Sequence, residues 1–171
     1  MYMSFKKTIL LLLILLITDF AYGQNITSRI TIQSGGSIQF PFNSYTKLAN
    51  GMNYTNWTRL QIYYLDTLND GTLNGTSQWH LMVRANTGTI DGDGGNSLSL
   101  NKVEIEATST AGNTAGKITL TNTDQAIITD GPNNTNTATV TISYYVGETN
   151  ALLGESPDYY FVDLIFTLEQ Q

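Results

Sequence analysis

Strict alternation of apolar and polar side chains limits what this chain can fold into more than any other feature. Ala138, Val140, Ile142, Tyr144 and Val146 interleave with Thr137, Thr139, Thr141, Ser143 and Tyr145. The same period of two runs through Leu60, Ile62 and Tyr64, and through Trp79, Leu81, Val83 and Ala85. It returns at the end in Tyr160, Val162, Leu164, Phe166 and Leu168. Near the start, Ile26, Ile30 and Ile32 share one parity, and Ile38, Phe40 and Phe42 follow Gly35-Gly36. Successive side chains leave a strand on opposite faces, so such runs are half-buried strands. Between them lie turn clusters such as Asn50-Gly51, Asn74-Gly75 and Asp91-Gly92-Asp93-Gly94-Gly95-Asn96. The parity changes between Leu98, Leu100 and Val103, Ile105, which predicts a bulge or tight turn near Asn101-Lys102. Helical spacing is not sustained anywhere over a useful length. The pattern predicts an all-β fold: an antiparallel two-sheet β-sandwich, Ig-like, of about nine strands.

The first residues belong to a different pattern. Lys6 and Lys7 precede an apolar run to Ile17, and Ala21-Tyr22-Gly23 offers small residues for cleavage. Residues 1–23 read as a secretory signal peptide and residues 24–171 as a single β-sandwich domain. A run of about ten apolar residues falls short of the roughly 20 that span a bilayer, and no membrane span is expected in the mature chain. Removing Lys6, Lys7 and Asp19 from eight basic and fourteen acidic residues leaves a formal charge of −7. That balance argues against nucleic acid as a partner, since its recognition needs clustered Lys and Arg. The chain has no cysteine, so the domain is held by its core without disulfides. The expected location is exported: periplasm, cell surface or extracellular.

Four residue sets are candidates for chemistry. His80, the only histidine, sits on the outward row with Gln78, Met82 and Arg84, and reads as an exposed strand residue rather than a catalytic base. Glu104 and Glu106 leave one face of a strand, where two carboxylates could flank a sugar ring as in a glycosidase, but Glu104-Ile105-Glu106 is more simply a solvent face. Asp91, Asp93 and Asn96 alternate as in a calcium loop; the competing reading is a solvated glycine-rich hairpin, because Gly95 and Lys102 stand where EF-hand ligands belong. Tyr54, Trp57, Tyr63 and Tyr145, with Tyr159 and Phe161, fall on loops or outward positions and are candidate ligand-binding aromatics. Asn-x-Thr sequons begin at Asn25, Asn53, Asn56, Asn74 and Asn133. The reading assigns no catalytic residue and no cofactor.

Two strands carry a resemblance. Trp79-His80-Leu81, followed by Leu98, Leu100, Val103 and Ile105, and the closing Tyr160, Leu164, Phe166 and Leu168 resemble the WxL-type surface domains of bacteria. Phe166 stands where that family has its second tryptophan. The resemblance implies export, noncovalent attachment to the cell surface and a core built on Trp79, Leu81, Tyr160, Leu164, Phe166 and Leu168. The outline is also similar to fimbrial subunits, which implies self-assembly by strand donation, with Gln24–Gln33 as the candidate donor. The competing reading makes that segment the first strand of its own domain. The function expected is therefore that of a noncatalytic surface protein acting in envelope attachment, adhesion or as a structural, fimbria-like subunit. Its partner would be a cell-envelope polymer, a surface glycan or a protein. The alternative is a carbohydrate-binding module using exposed aromatics.

Overall fold

A computed structural model describes residues 25–171; residues 1–24, and with them the segment read as a signal peptide, lie outside the described residues. The elements are β1 (Asn25–Ser34), β2 (Phe40–Phe42), α1 (Tyr45–Asn50), β3 (Met52–Thr67), β4 (Gln78–Ala85), β5 (Thr89–Gly92) and β6 (Ser97–Ser99). After a 3-10 turn (Leu100–Lys102) come β7 (Val103–Ser109), β8 (Asn113–Thr114), β9 (Lys117–Thr119), β10 (Gln125–Pro132), β11 (Thr135–Val146), β12 (Asp158–Phe161) and β13 (Leu164–Gln170). The described residues thus form thirteen strands in three antiparallel sheets, ordered β1-β3-β11-β7-β9, β13-β4-β10-β8 and β2-β12-β5-β6. This is an all-β protein of broadly β-sandwich type.

The additional strands have a plain cause. The third sheet is built only of strands of three or four residues, too short to show a period of two. The parity change at Leu100 falls on the 3-10 turn. One short helix, α1, is capped by Ser44, whose side chain accepts a bond from the Lys47 amide, and buries Leu48 against the core. No helix of the described residues is long and apolar enough to cross a membrane.

The core is one cluster fed by all three sheets. Leu60, Ile62, Ile105, Val140 and Ile142 come from the first sheet, Trp79, Leu81, Val83 and Ile128 from the second, and Phe40, Ile90 and Tyr160 from the third. Trp79 is fully buried. Its indole N–H donates to the Pro132 carbonyl at 3.1 Å and to Thr135 Oγ1 at 3.0 Å, so the ring carries no unsatisfied donor into the core. β10 passes so close beneath the ring that a Cβ on Gly131 would stand 2.1 Å from Trp79 Cε2. Only glycine fits there.

Two expectations need correction. The closing run is not one strand: β12 belongs to the third sheet and β13 to the second, with the chain breaking at Val162-Asp163. Tyr160 is buried, but Leu164, Phe166 and Leu168 are only half-buried because β13 is the edge strand of its sheet. Likewise β1 pairs with β3 from Asn25↔Thr67 to Ser34↔Arg59 at the edge of the first sheet. Its apolar row overhangs the core: Ile26 and Ile32 are exposed and Ile30 is half-buried.

Replacing Trp79 with alanine should cost about 3–5 kcal/mol in denaturant melts, from lost burial and the cavity left behind. Gly131→Ala should also destabilise, and much less so when Trp79 is already alanine, since the two changes share one contact. A near-neutral Trp79→Ala would contradict this packing.

Candidate functional site

The aromatic candidates are sorted by one irregularity in β3. Tyr54 pairs with Tyr144 and Thr58 with Ile142, so Thr55, Asn56 and Trp57 together face the single residue Ser143. Asn56 takes a positive φ of 51°, and its amide donates to Ser143 Oγ at 2.9 Å. Such a bulge bends the strand and re-aims its side chains. Here it brings Trp57 against Tyr54 edge to face, with ring centroids 5.2 Å apart and planes at 75°. Tyr54 also meets Phe40 at 5.8 Å, tying the pair to the core.

The opposite wall is the segment 35–39, which has no sheet partner of its own. Three β3 side chains hold it. Trp57 Nε1 donates to the Ser37 carbonyl at 3.0 Å, the Tyr54 hydroxyl to the Gln39 carbonyl at 3.0 Å, and Thr58 Oγ1 to the Gly35 carbonyl at 2.7 Å. Thr58 has one proton and gives it to Gly35, so the Tyr144 hydroxyl, 2.8 Å away, donates to Thr58. Burial pushes the Tyr144 phenol up to about 12, and Tyr54 is raised for the same reason, so both remain donors at neutral pH. Gly35 has a φ of +66°, and a Cβ there would stand 2.2 Å from the Trp57 carbonyl oxygen, so this close approach also requires glycine.

Tyr159 of β12 completes the site. Its hydroxyl accepts from Asn43 Nδ2 at 3.1 Å, and Asn43 Oδ1 accepts from Lys47 Nζ at 2.9 Å. The preceding residue, Asp158, fixes β12 to the glycine-rich loop. Its carboxylate accepts from the Gly94 amide at 3.0 Å, from Asn96 Nδ2 at 2.9 Å and from the Tyr159 amide at 2.7 Å. These donors, the Asn96 amide foremost, hold its pKa below the usual carboxylate value. The loop that resembled a calcium site is therefore organised around a carboxylate the sequence reading did not single out. Asn96 is turned onto Asp158 and Asp91 accepts from Thr89 Oγ1 at 3.2 Å. Among the described residues no group of three or more His, Asp or Glu is placed to hold a metal ion.

Tyr54, Trp57, Tyr159, Pro41, Ser37 and Gln39 together line an open groove of about 370 Å³. Trp57 is 42% exposed and Tyr159 46%. Beyond Ser37 and Gln39 lies a second cleft of about 430 Å³, walled by Ile32, Ile38, Val162, Leu164 and Phe166. It opens where the closing run breaks between β12 and β13. The two clefts share Ser37 and Gln39 as a common ridge.

The other candidates lie elsewhere. Tyr63 and Tyr145 occupy the outer face of the first sheet, Tyr63 under Arg29 at 5.9 Å and Tyr145 under Lys117 Nζ at 3.6 Å. Tyr145 donates to Glu106 Oε2 at 2.7 Å, and that acceptor raises the phenol's pKa; Thr149 donates to Glu104 at 2.9 Å. His80 pairs across the sheet with Glu169 at 3.1 Å. Of the sequons, Asn74 and Asn133 spend their amides on Asp66 and the neighbouring backbone, whereas Asn25, Asn53 and Asn56 are exposed. Pro41, Ser37, Gln39 and Asp158 carry no sequence signal of their own, because they reach the site through loops and short strands.

No family model and no curated protein matches the chain. Among solved structures it is similar to a family 123 glycoside hydrolase from Clostridium perfringens, described for glycolipid glycan hydrolysis. The identity is 12% and the TM-score 0.39, with 84% of this chain and 25% of that one covered. The chain thus spans a quarter of that protein's length, and so distant a likeness carries no functional conclusion.

Because the folded-state pKa of Asp158 is depressed, its hold on the loop is present above the ordinary carboxylate pKa and lost only as pH falls through the lower folded value. In an NMR titration the Gly94 amide shift should report a midpoint below the ordinary aspartate value of about 3.9. A midpoint at or above that value would contradict the assigned hydrogen bonds.

Proposed function

We propose that this is an exported, noncatalytic surface protein that attaches to envelope or surface glycan through the groove of Tyr54, Trp57 and Tyr159. The observation that carries the reading is the pinning of exposed rings. Trp57 and Tyr54 spend their polar atoms on the backbone of segment 35–39, which leaves the Trp57 ring exposed to solvent with the half-buried Tyr54 packed beside it. A pyranose has an apolar face bordered by hydroxyls, and a preorganised aromatic groove with a few polar groups suits it. Glu104 and Glu106, tied to Thr149 and Tyr145 away from either cleft, give a noncatalytic reading further support.

The finer fold reading is part of the same proposal. The first two sheets are taken as the layers of an Ig-like sandwich, and the third as a cover at one end. In favour of it, the Tyr160 hydroxyl donates to the Ser156 carbonyl at 2.6 Å, the kind of backward bond a tyrosine corner makes in such folds. The WxL-like relation is favoured by the direct pairing of β4, which carries Trp79, with β13, which carries Phe166 and Leu168.

A second reading, fimbria-like self-assembly through Gln24–Gln33, is favoured by β1 lying at a sheet edge with Ile26 and Ile32 exposed. It predicts concentration-dependent oligomers in sedimentation velocity that disappear when Ile26 and Ile32 are both changed to lysine.

The main reading predicts that the mature protein sediments with isolated envelopes or insoluble polysaccharide, and that Trp57→Ala, still folded by the unmoved Trp79 indole signal, stays in the supernatant. Equal sedimentation of both proteins would remove the groove from the account.

A further inference from the structure

We infer that the two clefts bind one ligand, a neutral oligosaccharide with one unit stacked on Trp57 and Tyr159 and the next projecting an acetamido group into the apolar cleft. The inference rests on the glycan reading above and adds the class of sugar.

Continuity comes first. Ser37 and Gln39 line both clefts, so a ligand longer than one ring placed on Trp57 crosses the ridge into the neighbouring space. Both residues are exposed, and among the described residues neither the Ser37 hydroxyl nor the Gln39 side-chain amide has a hydrogen-bond partner. The ridge thus presents free donors and acceptors where a sugar chain would carry its hydroxyls. Each volume lies within the range of about 300–1,000 Å³ common for small-ligand pockets.

Charge narrows the class. Among the described residues no Lys, Arg or His lines either cleft, so uronate, phosphate or sulfate groups would find no cationic partner there. The one charged lining residue among those described is Asp163, at the break between β12 and β13. It is exposed, and its carboxylate has no partner among the described residues. A carboxylate only accepts hydrogen bonds, so it calls for a donor on the ligand.

The walls select the substituent. Ile38, Val162, Leu164 and Phe166 are half-buried apolar side chains on the same cleft as Asp163. A hydroxyl facing them would be left without partners, at a cost. An acetamido group supplies what both parts lack, an N–H for the carboxylate and a methyl for the apolar wall.

Calorimetric titration with chitotetraose and cellotetraose tests this, because the two share a backbone and differ at each ring in acetamido against hydroxyl. Chitotetraose should bind at least about tenfold tighter, the scale of discrimination by a methyl-sized group in an apolar pocket. Asp163→Ala, an exposed change that leaves the core untouched, should weaken chitotetraose about fivefold and leave cellotetraose unchanged. Equal affinity of the wild type for both sugars would overturn the acetamido inference while the glycan groove stands. An equal loss for both sugars in Asp163→Ala would overturn the role given to Asp163. Failure to bind either sugar would overturn the inference and the glycan reading together.

Discussion

The packing of Trp79 on Gly131 is the contact on which the rest of the sandwich depends. β4 lies between β13 and β10, and its inward row carries Trp79, Leu81, Val83 and Ala85 with no exposed surface. In a chain without cysteine, nothing covalent supplements that burial. A cost of about 3–5 kcal/mol for losing one such side chain is a large part of the 5–15 kcal/mol that holds a typical domain together. The strand that carries the indole also aligns β13, whose half-buried Leu164 and Phe166 form a wall of the apolar cleft. Core and site are linked through one strand pair.

The groove exists because two local departures from regular strand structure coincide. The bulge at Asn56 turns Trp57 toward Tyr54, and the break at Val162-Asp163 separates β12 from β13. Segment 35–39 runs between these irregularities and is fastened by three side-chain hydrogen bonds in place of a backbone ladder. Donors that would otherwise need water are thereby satisfied internally, and the Trp57 ring stays exposed. Asp158 does comparable work from the other side, holding the loop after β5 against β12 and so setting the position of Tyr159. The members of the site are each tied to backbone.

The long strands were legible in the sequence because five or more alternations leave little freedom in assigning faces. Trp79, Leu81, Val83, Ala85, Val140 and Ile142 all lie inward as their parity requires. The short strands of the third sheet were not legible, since three or four residues show no period. The closing run was misleading in a specific way: Val162 continues the parity across a break that only the change of sheet reveals. The same limit applies to the site. Trp57 and Tyr54 stand three residues apart, and regular strand geometry would put them on opposite faces. Their meeting depends on a bulge set by a positive φ at Asn56, which no pattern in the sequence marks. Tyr63 and Tyr145 share the outward parity of Trp57, yet sit on the open face of the first sheet.

The two tryptophans allow a direct test of the proposal that the groove binds glycan. Trp57 Nε1 lies at its rim and Trp79 Nε1 in the core, so the folded protein should give two distinct indole resonances. Titration with a neutral oligosaccharide should move the Trp57 indole signal progressively and leave that of Trp79 in place. A saturating titration that moves neither signal, or only that of Trp79, would contradict the account.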